Sequence, residues 1–117
     1  MSKILIAALI TILSSNSTVF ANSNDLLQEG KRALESGQYE EAVNCLGHIL
    51  KESNNISYDP KVLALNRVIQ AYGMLRLKDR GYDKMIEENL LGAISQDPEW
   101  EYPKKLLGEL YHFKNLK

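Results

Sequence analysis

From Asn24 onward, apolar residues return every three or four positions, the spacing of helices buried on one side. Leu26, Leu27, Gly30, Ala33 and Leu34 make one such face and predict a first helix over about Asp25 to Ser36. Asp25 followed three residues later by Gln28 resembles a capping box, and Gly37 stands where a left-handed C-terminal residue is wanted. Tyr39, Ala42, Val43, Leu46, Ile49 and Leu50 form the stripe of a second helix, about Tyr39 to Glu52. The polar run "SNNISYD" breaks the pattern, and Asp59-Pro60 restarts it with a cap residue and a proline at the first turn. A third helix, about Pro60 to Lys78, carries Val62, Leu65, Ile69 and Tyr72, broadened by Leu63, Val68 and Leu75. After the turn "KDRGYD", a fourth helix over about Asp83 to Gln96 shows Ile86, Leu90, Ala93 and Ile94, and Asp97-Pro98 ends it. A fifth begins near Pro103, with Leu106, Leu107, Leu110 and Tyr111 as its stripe. Alternating β-branched runs bounded by tight turns are absent, so the expected class is all-α. Connections this short make successive helices antiparallel neighbours.

The first 21 residues follow a different rule. A basic start, Met1-Ser2-Lys3, precedes the apolar run Ile4 to Leu13, then polar "SSNST" and the small-residue ending Val19-Phe20-Ala21. This is the three-part layout of a secretory signal, and its apolar run is shorter than the roughly 20 residues that span a bilayer. The expectation is a signal peptide over residues 1–21 and a helical domain over 22–117. The protein would be exported: periplasmic in a Gram-negative host, otherwise secreted, with no membrane span once the signal is removed.

Charge and cysteine content narrow the chemistry. One of the 14 basic residues, Lys3, would leave with the signal, so the mature chain has a net charge of about −2 against 15 acids. Nucleic-acid binding wants a basic face, and none is evident. Cys45 stands alone, which rules out an internal disulfide in an oxidising compartment; it reads as a small apolar residue between helices, with a bridge between two copies as the alternative. Cys45 and His48 at i, i+3 could share a helix face, but a structural zinc site wants about four ligands, so no metal is expected. Glu40-Glu41 and Glu87-Glu88 lie near the starts of helices, where negative charge complements the macrodipole. No phosphate loop and no nucleophile beside a base is recognisable, so neither catalysis nor a cofactor is expected. Asn55-Ile56-Ser57 matches a glycosylation acceptor, relevant only in a eukaryotic host. Trp100, in "DPEWEYP", is read as packing the short connection against the fourth and fifth helices, with an anchor for a partner as the sharper alternative.

The stretch "SGQYEEAVNCL" joins two helices at a glycine, sets a tyrosine at the start of the second, and follows it with a small residue. Gly30, Ala33, Gly37, Tyr39, Ala42, Leu46 and Ile49 resemble the tetratricopeptide repeat family in order and spacing. A weaker copy lies in "DRGYDKMIEENLLGAISQDP", with Gly81, Ile86, Leu90, Ala93 and Pro98, and "KKLLGELY" looks like another first helix. Gly37 and Gly81 are 44 residues apart, longer than the family's usual 34. The longer period also resembles the related Sel1-like repeats. The resemblance implies helical hairpins stacked as a short solenoid of about five helices, with the first helix of each pair lining a concave groove. Such a groove would hold a peptide or a partner's helix. Leu27, Lys31 and Leu34 of the first helix, Val68, Tyr72 and Arg76 of the third, and Lys105, Glu109 and His112 of the fifth would face it.

The function this suggests is an exported protein–protein interaction module, an envelope adaptor or assembly factor. Docking onto an envelope enzyme as a modulator, or action as a secreted effector, are the alternatives. Two and a half repeats fall below the three that usually give comfortable stability. Pairing with itself, through Leu106, Leu110 or Phe113 of the fifth helix, or with a larger partner would supply the remainder.

Overall fold

The computed structural model of the protein describes residues 23–52 and 59–115. The leader expected over residues 1–21, the Asn55-Ile56-Ser57 triplet and most of the polar break before Asp59 lie outside the described residues. Five α-helices follow one another: α1 (Ser23–Glu35), α2 (Tyr39–Glu52), α3 (Pro60–Leu77), α4 (Asp83–Gln96) and α5 (Tyr102–Asn115). A single 3-10 turn, Arg80–Tyr82, leads into α4, and no strand occurs among the described residues. None of these helices is long and apolar enough to cross a membrane.

α1 pairs with α2 and α3 with α4, while α5 lies against α4. α3 also touches α1 and α2, and this central position dictates its composition. Val62, Ala64, Leu65, Val68, Ile69 and Ala71 are all buried, covering more of its circumference than one stripe would. The apolar faces of all five helices merge into one core, with Leu34, Ile49, Leu65, Ile86 and Leu90 among its fully enclosed members. Each such side chain contributes about 1.5–3 kcal/mol by leaving water. At the middle of α1 a small residue is needed: a Cβ on Gly30 would meet Leu65 at 3.0 Å and Cys45 at 3.4 Å.

Two helix ends follow their local signals. Gly37 is left-handed (φ +80°), with Gln38 N–H donating to Ala33 O at 2.8 Å and Gly37 N–H to Leu34 O at 3.0 Å, the paired bonds of a Schellman cap. Asp59 Oδ1 accepts from Lys61 N–H at 2.8 Å, and Pro60 follows as the first helical residue.

Four expectations are corrected. α1 starts at Ser23, so Asp25 lies within its first turn and acts on the helix dipole rather than as the cap of a capping box. On α2, Ala42, Cys45, Leu46 and Ile49 are the buried residues, whereas Val43 is 40% and Leu50 46% exposed. Among the described residues this helix packs chiefly on α1 and α3, and the two outlying residues sit beyond the edge of that contact. Tyr111 on α5 is exposed and donates its hydroxyl to Glu87 Oε2 at 2.5 Å, which brackets α5 to α4 by a polar contact. At the second corner the left-handed residue is Lys78 (φ +57°), not Gly81, which sits inside the 3-10 turn.

Candidate interaction surfaces

Three regions bring functional side chains together, and each is built from a different part of the chain.

The first is a polar interlock between α1 and the connection from α4 to α5. α4 ends when Asp97 N–H bonds back to Ala93 O, and Pro98 then turns the chain so that Trp100 N–H reaches Asp97 O at 3.1 Å. The turn delivers the Asp97 carboxylate, 2% exposed, to Lys31 Nζ at 2.6 Å. Lys31, 12% exposed, also lies over the Trp100 ring at 5.0 Å. Trp100 Nε1–H donates to Glu35 Oε2 at 2.8 Å, and Tyr102 OH to Leu34 O at 3.3 Å. Lys31, expected to face a partner, is therefore engaged inside the chain, and Trp100 is used in packing rather than presented as an anchor. Trp100 packs onto α1 as well as onto its own connection. A polar cleft of about 340 Å³ remains beside them, lined by Gln28, Arg32, Lys61 and Glu99 among others.

The second region is an aromatic platform where α1, α2 and α3 meet. Tyr39 and Tyr72 stack with centroids 5.7 Å apart and planes within 13°, and the Arg76 guanidinium covers Tyr39 at 4.8 Å. Tyr39 fits because α3 carries Gly73 opposite its hydroxyl, where a Cβ would come within 2.9 Å. Tyr102, at the start of α5, is half-buried and donates its hydroxyl to Leu34 O at 3.3 Å. Burial first, then the charges of Tyr72 and Glu109, push the Tyr102 phenol up to about 12.

The groove-facing residues expected from the repeat resemblance divide accordingly. Leu27, Leu34 and Val68 are core residues and present no surface to a partner, because α1 and α3 pack on each other and on the connection before α5. Lys31 is tied to Asp97. Tyr72 is half-buried in the stack, and Arg76 is exposed above it. Lys105, Glu109 and His112 are exposed together on α5, around a shallow depression over Gly108. Of the apolar residues expected to pair two copies through α5, Leu106 and Leu110 are buried and only Phe113 stays free, 58% exposed.

The third region was not anticipated as a site. At the α3–α4 corner, Met74 and Leu75 of α3, Ile86 of α4, and Leu110 and Phe113 of α5 wall an apolar groove of about 370 Å³. Its rim is polar. Arg80 Nε–H donates to Asp83 Oδ2 at 2.7 Å, and Asp79 Oδ1 accepts from Gly81 N–H at 2.8 Å. Lys78 on the same rim makes no ion pair among the described residues. The sequence signal was partial: Phe113 continues the Leu106 and Leu110 stripe of α5, whereas Met74 falls outside the stripe of α3. Only the packing of α5 against α4 shows that they adjoin.

Cys45 and His48 do not form a joint site: Cys45 is buried in the core, whereas His48, one turn on, is exposed. Desolvation raises the Cys45 thiol to about 11, reinforced by the nearby carboxylates of Glu29 and Glu41. Arg32 bridges those two acids, hydrogen-bonding Glu29 and approaching Glu41 Oε2 at 3.5 Å. The Arg32 hydrogen bond holds Glu29 below the ordinary carboxylate range, and the hydrogen bond that Glu41 donates to Glu29 raises Glu41. Among the described residues no three histidine, cysteine or carboxylate side chains cluster as metal ligands. No family model, curated protein or solved structure matches the chain.

Proposed function

We propose that this protein is an exported interaction module that binds a partner without chemistry of its own, using the apolar groove at the α3–α4 corner. The observation that carries the reading is the groove itself. Met74, Leu75, Ile86 and Leu110 line it, and Phe113 stands 58% exposed at its edge. Its volume, about 370 Å³, is at the lower end of ligand pockets and suits one or two large apolar side chains. Lys78, unpaired on the rim, favours a partner with a carboxylate beside its apolar anchor. A helix or peptide of that kind is the occupant. The tetratricopeptide-like hairpins are, on this reading, the scaffold that holds the groove open, and an adaptor or assembly factor of the cell envelope is the role that fits an exported binder.

The test is a panel of phage-displayed peptides panned on the purified protein, with affinities read by fluorescence anisotropy. Peptides pairing a bulky apolar residue with an acid should be recovered. Their binding should weaken at least about tenfold with Phe113→Asp or Met74→Lys, since interface anchors commonly carry 2 kcal/mol or more. Lys78→Glu should weaken binding less and remove the preference for acids. Binding that survives Phe113→Asp yet is lost with Arg76→Ala and Lys105→Ala would move the site to the face carrying Tyr72, Glu109 and His112, and the groove assignment would be wrong.

A further inference from the structure

A different surface, the outward face of α2, points to a partner of another kind. Val43 and Leu50 stand 40% and 46% exposed there, although the same helix buries four other residues. Between them lies Gly47, where an added Cβ would meet nothing within 4 Å, so the backbone sits at the floor of a shallow depression walled by Val43, His48 and Leu50. Exposed aliphatic residues flanking an open glycine are the shape that admits a second helix at close range.

The order of charges says which helix. At about 100° per residue, Val43 and Leu50 fall on one side of Gly47, while Glu40 and Lys51 fall on the other. A two-fold axis perpendicular to α2 reverses the helix direction but keeps each side facing its like. Apolar side then meets apolar side, and Glu40 of one copy meets Lys51 of the other, twice. The register agrees as well. Glu40 and Lys51 have their midpoint at residue 45.5, and Val43 and Gly47 have theirs at 45. These differ by about 0.75 Å along the helix, so one docking both seats Val43 over the partner's Gly47 and closes both ion pairs. A parallel pairing would set Glu40 against Glu40.

We infer that two copies of this chain associate through an antiparallel α2–α2 contact centred near Cys45, with Val43 covering the partner's Gly47 and Glu40 pairing the partner's Lys51. Neither charge is committed elsewhere. Glu40 stands 3.9 Å from Arg76 with both side chains well exposed, a contact of little worth, and Lys51 makes no ion pair among the described residues. Self-complementary patches of this form are what isologous dimers require. One helix pair buries less than the roughly 1,200 Å² of a standard interface, which places the dimer in the weak class.

Sedimentation equilibrium tests this on protein purified after expression of the full sequence, from about 10 μM to 1 mM. A monomer–dimer equilibrium that weakens with salt is expected. Glu40→Lys or Lys51→Glu alone should weaken it at least about tenfold, and the double reversal should restore it to within about threefold of the parent. All four proteins should keep the same helical circular dichroism, since both positions are exposed. A monomer throughout the range overturns the inference. So does self-association that ignores the single reversals, and if Phe113→Asp abolishes it instead, α5 carries the contact.

Discussion

The two hairpins reach the same shape by different means. At the corner between α1 and α2, the left-handed position is filled by Gly37, and two backbone hydrogen bonds close the cap without help from any side chain. At the corner between α3 and α4, the left-handed residue is Lys78, which bears the Cβ penalty of that conformation. A side chain, Asp79, then caps Gly81, and a 3-10 turn feeds α4. The first corner is legible from a motif because glycine is the cheapest solution for its geometry. The second is not, because several weaker devices share the work and none has a fixed spacing. Gly81 lines up with Gly37 in sequence but not in backbone role.

The largest effect is expected where the end of the second hairpin is tied to the first. Replacing either Lys31 or Asp97 by alanine leaves a buried charge without its partner, a loss of about 3–5 kcal/mol by the usual behaviour of such pairs. The double replacement Lys31→Met with Asp97→Leu should recover most of it, since the desolvation cost of both charges is also removed. Urea unfolding at neutral pH measures all three. If either single variant costs under about 1 kcal/mol, the interlock contributes nothing beyond packing, and the hairpins are joined by α3 alone.

The corners themselves come next. Gly37→Ala should destabilise by about 1–2 kcal/mol, because φ is +80° there. Gly81→Ala should cost less than half of that, although its Cβ would press on Asp79 Oδ1 at 3.1 Å. Lys78→Gly should stabilise by about 0.5–1 kcal/mol, the side-chain strain outweighing the entropy of the added glycine. Equal costs at Gly37 and Gly81 would mean that the two corners are alike after all.

A pH-dependent effect separates the first hairpin from α5. Cys45, in the first, has its thiol raised from 9.0 to about 11, and Tyr102, at the start of α5, has its phenol raised from 10.0 to about 12. In each case the unfolded chain releases its proton first, so the folded state is favoured below the unfolded value and loses that advantage as pH rises. Stability should therefore decline from pH 9 upward, with the Cys45 contribution gone by about 11 and that of Tyr102 by about 12. Cys45→Ala should flatten the slope between 9 and 11, and Tyr102→Phe should flatten it between 10 and 12. Urea midpoints taken across pH 8–11.5 would show either change.

Much of this architecture was written in the chain as local pattern. Five helices, the Gly37 corner and the Asp59-Pro60 start follow from side chains three or four positions apart and from φ preferences of single residues, which act wherever the segment lies. The buried stripes of α1 and α4 follow for the same reason. The interaction surfaces were not legible in that way. Leu27, Leu34 and Val68 had the spacing of groove residues, but exposure depends on what covers a face, and the packing of α3 among α1, α2 and α4 leaves all three buried. Lys31 and Asp97 are 66 positions apart, as distant in sequence as Trp100 is from Glu35 by 65. No periodicity reports such a meeting, because it is decided by the path of the whole chain. The same holds for Met74 and Phe113, which only the docking of α5 on α4 sets side by side. The sequence by itself determined which residues form helices and where most of them begin and end; the tertiary structure alone decided which polar groups pair, and which apolar faces remain open to a partner.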